Sequence, residues 1–164
     1  MAKKIAIFGS FLATAIIFGY VEFLLPVNIG IPGAKLGLAN IIAVIILYNA
    51  NFKTSLLINI GRILICGILF GSVLSTFYAL LGGVSAVIVM ALLKYNAKCF
   101  SVVGVSVAGA VTHNIFQVLG ASFVINTAVF YYLPFLALVG TFTGTLIGII
   151  SHFVNKRIAP LHIF

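Results

Sequence analysis

Few residues in this chain are able to do chemistry, and their types already limit what that chemistry is. Among 164 residues there are nine Lys or Arg, a single acid, Glu22, and no Asp at all. A paired-carboxylate acid/base site, a carboxylate-rich Mg²⁺ or Ca²⁺ cage and an aspartate-rich diphosphate-metal motif each need at least two acids, so all three are excluded. No Gly-x-x-x-x-Gly-Lys-Ser/Thr loop is present to hold ATP. What remains are groups that bind. His113, Asn114 and Gln117 are spaced so that 113→117 and 114→117 are i,i+4 and i,i+3 steps, which sends their side chains toward one side of a helix. Arg62, Asn40, Lys35 and Glu22 are the other polar residues that interrupt apolar surroundings. Three potential cations and one anion do not neutralise each other, and the surplus positive charge is best stabilised by an anionic ligand.

The elements that must position these residues follow from composition. The chain is 63% hydrophobic and 6% charged, with a mean hydropathy of +1.34, and a water-soluble domain cannot be built with so little polar surface. An all-α integral membrane protein is expected, a single transmembrane domain over residues 1–164. Polar and Gly/Pro punctuation divides the chain into six spans, at about 5–25, 35–49, 54–71, 73–93, 101–127 and 132–154. The third and fourth are separated only at Gly71-Ser72, because an unbroken run of that length far exceeds one crossing. The start, Met1-Ala2-Lys3-Lys4, resembles a signal peptide, but the apolar run that follows is long enough to be a first span.

Loop charge orients the bundle. With six spans and the N-terminus inside, the inner segments carry Lys3, Lys4, Lys53, Lys94, Lys98, Lys156 and Arg157, and the outer loops only Lys35. Both termini are therefore expected on the cytoplasmic side of a bacterial cytoplasmic membrane. The seven inner charges are read as topology signals and lie too far apart in sequence to form a nucleic-acid patch.

On this topology Glu22, Lys35, Asn40, Arg62, His113, Asn114 and Gln117 all fall between the outer surface and the midplane, and they are expected to line one outward-facing cavity. An Arg at the centre of a span costs about 2.5–3.5 kcal/mol on insertion scales, so Arg62 needs a partner. Glu22, about 8 Å shallower at about 1.5 Å rise per residue, is the one carboxylate available. The stretch from Pro26 to Lys35, with two prolines and two glycines, is a candidate lid. Small residues recur at helix-packing spacing: Gly140, Gly144 and Gly148 in the last span, and Ala2, Ala6 and Ser10 in the first. Such stripes let backbones approach closely, either within the chain or against another membrane subunit. Cys66 and Cys99 are expected to be free thiols, since one falls within a span and the other in a loop.

The run Pro32-Gly33-Ala34-Lys35-Leu36-Gly37-Leu38-Ala39-Asn40, preceded by Glu22 and Pro26, is more specific than any stripe. It resembles the heptaprenyl diphosphate synthase component I family, also called the Gx transporter family. The likeness continues through Arg62, Gly82-Gly83 with Ser85 and Met90, Gly109 to Asn114 with Gln117, and Gly140 and Gly144. The resemblance implies a six-helix bundle like the substrate-binding S components of energy-coupling-factor (ECF) vitamin transporters, which bind a small molecule on the outer side. It also implies docking of an ECF-type membrane subunit, with separate ATPases, on the Ala2/Ala6/Ser10 stripe. The family's older name implies a prenyl diphosphate synthase partner instead. In that case the chain is a non-catalytic accessory of heptaprenyl diphosphate or menaquinone biosynthesis, or of a membrane redox system. No aspartate is present for chain elongation itself, and no cofactor or metal is called for by either reading.

Overall fold

Two short polar sequences set where the central helices begin. Asn51 Oδ1 accepts the Thr54 N–H at 2.9 Å, and α3 starts at Phe52. Ser72 and Ser75 cap each other reciprocally, the Ser75 N–H donating to Ser72 Oγ at 3.2 Å and the Ser72 N–H to Ser75 Oγ at 2.9 Å. This capping box satisfies N–H groups that lipid cannot, and it divides α3 from α4 at the weak Gly71-Ser72 mark.

The computed structural model describes residues 2–24, 37–97, 99–124 and 127–161, and among them every regular element is helical. In chain order they are α1 (Ala2–Leu24), α2 (Asn40–Asn49), α3 (Phe52–Phe70), α4 (Val73–Asn96), α5 (Val102–Val124) and α6 (Leu133–Ile158). A 3₁₀ turn over Thr127–Tyr132 leads into α6. Five helices are long and apolar enough to cross a membrane, as expected of a multi-pass membrane protein. Within the second expected span, 35–49, the described residues form a shorter apolar helix. Helix α2 has 10 residues, about 15 Å at about 1.5 Å per residue, half of a hydrocarbon core. The fifth expected span is described as helix from Val102 to Val124, and the candidate lid from Pro26 to Lys35 lies outside the described residues.

Small residues fix the packing. Helices α1 and α3 run parallel: Leu12 lies against Gly61, Cys66 against Gly19, and the Tyr20 and Phe70 rings meet at 4.9 Å. Helices α3, α4, α5 and α6 then alternate in direction. On α6, a Cβ at Gly144 would stand 2.8 Å from Val107 Cα, and one at Gly148 would stand 2.6 Å from Val103 Cα. The Gly140/Gly144/Gly148 stripe is therefore packing within the chain, where backbone meets backbone. On α1 the corresponding residues are open: Ala2, Ala6 and Ser10 are exposed, and nothing lies within 4 Å of a Cβ placed on Gly9. Cys66 is buried and Cys99 exposed, and neither is in a disulfide among the described residues.

Helix α2 sits inside this frame with eight of its residues buried, from Asn40 to Leu47. Its ends are held by side chains from distant elements. At the C-terminal end Lys94 Nζ donates to Leu47 O at 2.5 Å while lying over the Tyr48 and Tyr95 rings at 5.2 and 4.8 Å. Asn49 Nδ2 donates to Asn155 Oδ1 at 2.5 Å. A cation on the last carbonyls complements the negative end of the helix dipole. These contacts, with the parallel α1–α3 register, gather the starts of α1, α3 and α5 and the ends of α2, α4 and α6 at one end of the bundle, hereafter the basic end. Lys94 thus has a structural role in addition to its expected role as a topology signal. Replacing it by Met should lower stability by about 1–2 kcal/mol. Exposed Lys53→Met should change it by less than about 0.5 kcal/mol. Thermal unfolding of both variants in detergent checks the contrast.

Candidate functional site

Two contacts across α4 bring the polar residues of α3 and α5 to a common depth. Asn59 Nδ2 donates to Gly83 O at 2.9 Å. The adjacent Gly82 is packed on His113, where a Cβ would stand 2.7 Å from the His113 carbonyl oxygen and 3.1 Å from Nδ1. Only glycine at 82 and 83 lets α3 and α5 close on α4 here. Asn40 belongs to the same layer. Ser55 Oγ donates to Ala43 O at 2.8 Å, and Asn40 and Asn59 each lie about one turn beyond that contact, within about 2 Å of the same depth.

A second layer stands one turn farther from the basic end. Arg62 is three residues beyond Asn59, Gln117 four beyond His113, and Tyr78 four before Gly82 on antiparallel α4. At about 1.5 Å per residue these steps differ by less than about 2 Å, so the three residues come from three neighbouring helices at one level. All are buried, Arg62 to 5% exposure, Gln117 to 1% and Tyr78 to 1%. Arg62 Nη2 donates to Asn59 Oδ1 at 2.8 Å. Among the described residues, Arg62 Nε, the Tyr78 hydroxyl and both amide atoms of Gln117 have no hydrogen-bond partner. Buried polar groups are almost always bonded, and several orphaned at one depth mark a place for a ligand or ordered water.

Glu22 does something other than hold Arg62 by a hydrogen bond alone. Its Oε1 accepts the N–H of Gly37 and that of Leu38, the latter at 3.3 Å. Gly37 has a φ of +81°, the left-handed conformation that favours glycine, and a Cβ there would stand 3.0 Å from Asn40 Nδ2. The carboxylate therefore holds the turn that leads into α2, on the side of the positive end of the helix dipole. Its charge also acts on Arg62 through space.

The expected residues therefore divide. Arg62, His113, Gln117 and Asn40 come together in the two layers. Asn114 turns away, with Nδ2 donating to Leu136 O at 2.7 Å and lying against Gly140, and so ties α5 to α6. Glu22 anchors α2, and Lys35 lies outside the described residues. Asn59 and Tyr78 are additions. Asn59 was legible as the i−3 neighbour of Arg62, whereas nothing distinguished Tyr78 from the other five tyrosines. No group of three or more His, Cys, Asp or Glu able to hold a metal occurs among the described residues.

The family model for heptaprenyl diphosphate synthase component I matches residues 11–154, and the chain belongs to that family. No curated protein and no solved structure matches it.

The anchoring role of Glu22 has a measurable signature. Glu22→Ala leaves one buried and one part-buried N–H group without their acceptor and should cost about 2–3 kcal/mol. Glu22→Gln keeps a carbonyl oxygen and should cost less than half of that. Thermal unfolding in detergent separates the two, and equal losses would contradict the capping role.

Proposed function

We propose that this member of the heptaprenyl diphosphate synthase component I family is a membrane transport subunit. It is an S-component-like protein of the bacterial cytoplasmic membrane that captures a small anionic molecule from the outer side. The observation that supports this most is Arg62, a buried guanidinium whose hydrogen bond goes to a neutral amide and whose Nε is left over. The chain has one acid, and that acid is hydrogen-bonded to the turn before α2. A guanidinium left in this state presents charge-assisted donors to a carboxylate or phosphate oxygen. Arg62 binds the negative group, His113 acts beside it, and Lys35, outside the described residues, is proposed as a further cation for the same group. Gln117 donates and accepts to orient the ligand, and the Tyr78 hydroxyl adds a third hydrogen bond. Asn59 holds Arg62 in position through Gly83. The open Ala2/Ala6/Ser10 stripe is where an energising ECF-type membrane subunit with its ATPases docks.

The family's description favours a second reading, a non-catalytic accessory that binds a prenyl or quinone-precursor molecule beside a soluble synthase. Without aspartate the chain binds rather than elongates, so the two readings share the site and differ in the partner. Co-purification of an ECF-type membrane subunit with ATPases supports the first, and of a prenyl diphosphate synthase subunit the second.

Native mass spectrometry of the protein in detergent tests the site in both. The wild type should retain a small anionic molecule, and Arg62→Gln should retain at least tenfold less while eluting as a folded protein. Tyr78→Phe should weaken retention with thermal stability unchanged or raised, because it removes a buried hydroxyl that has no other partner among the described residues. Undiminished retention in Arg62→Gln would remove Arg62 from the site.

A further inference from the structure

At the basic end, away from the ligand layers, two cations open onto a cavity. Lys156 and Arg157, in the last turn of α6, line it together with Phe153, Val154 and Ile158, and its volume is about 650 Å³. Both cations are exposed. Glu22 is the one acidic side chain in the sequence, and it stands about 30 Å from this end at about 1.5 Å per residue of α1. No acidic side chain is therefore within reach of either cation.

The place of the cavity along α6 decides what surrounds it. Leu146, Ile149, Ile150 and Phe153 are 42–64% exposed. Large apolar side chains that no other helix covers face lipid in a membrane protein, and on α6 this band ends at Phe153. Arg157 follows four residues later on the same face, with Lys156 beside it. The cavity thus straddles the boundary between hydrocarbon and headgroups, with its apolar lining on one side of that boundary and its charges on the other. The turn that carries it is held firmly. Val154 and Ile158 pack on the core around α2, and Asn155 between them accepts from Asn49.

We infer that this cavity binds an anionic phospholipid, with the headgroup phosphate on Lys156 and Arg157 and the upper part of an acyl chain along Phe153, Val154 and Ile158. A guanidinium offers paired N–H donors to phosphate oxygens, and an ammonium adds a point charge. Basic pockets at the membrane boundary suit anionic headgroups for this reason. Cations in the last turn of a helix also complement its dipole and report topology, but neither role calls for a cavity with an apolar wall. A free phosphate would leave that wall against water, and the volume is far larger than such an ion fills. A phospholipid satisfies both parts of the lining. Because Asn155 lies in the same turn, the bound lipid also braces the end of α6 that holds α2. The site is independent of the ligand layers and of what they bind.

Native mass spectrometry of the full chain in a non-ionic detergent tests this, with phosphatidylglycerol and phosphatidylcholine of identical acyl chains as probes. The first phosphatidylglycerol should bind the wild type at least fivefold more tightly than the first phosphatidylcholine. Replacing both cations, Lys156→Gln with Arg157→Gln, should reduce that ratio to less than twofold. Lys53→Gln removes an exposed cation at the same end that does not line the cavity, and should leave the ratio at its wild-type value. Phe153→Ser should weaken both lipids at least threefold while keeping the ratio. Equal binding of the two lipids by the wild type overturns the site whether or not any variant folds. An unchanged ratio in the double variant overturns it too, and so does an equal loss in Lys53→Gln, which would mean a diffuse attraction over the whole basic end. Displacement of phosphatidylglycerol by millimolar inorganic phosphate would mean a site for free anions and would overturn the lipid as occupant.

Discussion

A ten-residue helix enclosed in an apolar bundle has two polar ends that lipid cannot satisfy, and the organisation of this protein follows from how α2 meets that demand. The turn leading into it is held by Glu22 from α1, its Leu47 carbonyl by Lys94 from α4, and its Asn49 side chain by Asn155 of α6. Glu22 and Lys94 each carry the charge that complements the end of the helix dipole they lie beside. Helix α2 is attached through polar contacts to four of the five long helices, α3 among them by Ser55 Oγ on Ala43 O, and to the remaining core through Ile41–Leu47.

The anchoring of α2 also decides the electrostatics of the interior. With the single carboxylate bonded to backbone N–H groups, Arg62 is supported by the neutral amide of Asn59 and by the Glu22 charge at longer range. A buried guanidinium in that state is costly, and its persistence is understandable where it has a ligand to bind. The amide of Gln117 and the hydroxyl of Tyr78 stand at the same level for the same reason that Arg62 does: Gly82 and Gly83 allow α3 and α5 to approach α4 closely enough to bring their polar turns together.

Legibility differed by kind of residue. The long helices were readable because hydropathy and length have a direct physical meaning in a bilayer, and even the weak Gly71-Ser72 break proved to be a reciprocal serine cap. The start of α2 left little trace in the sequence, because Leu38 and Ala39 are as apolar as the helix itself, and a turn with positive φ at Gly37 leads into it at Asn40. The cluster of Arg62, His113 and Gln117 was readable from spacing and from the cost of polarity in lipid. Asn114 has the same spacing signature and yet ties α5 to Leu136, because a side chain's partner on another helix leaves no trace in its own sequence.

By itself the sequence determined the material and its constraints: a membrane protein, several apolar helices, one acid against nine bases, and no aspartate for catalysis. These are properties of composition and of runs along one chain, and burial in lipid makes them decisive. The tertiary structure alone decided which polar group meets which. Glu22 meets the turn before α2, Lys94 caps Leu47 in addition to its expected role as a topology signal, and Asn114 ties α5 to Leu136 while Tyr78 stands level with Arg62 and Gln117. Such pairings depend on the depth and rotation of neighbouring helices, and those are set by glycine contacts between residues far apart in the chain.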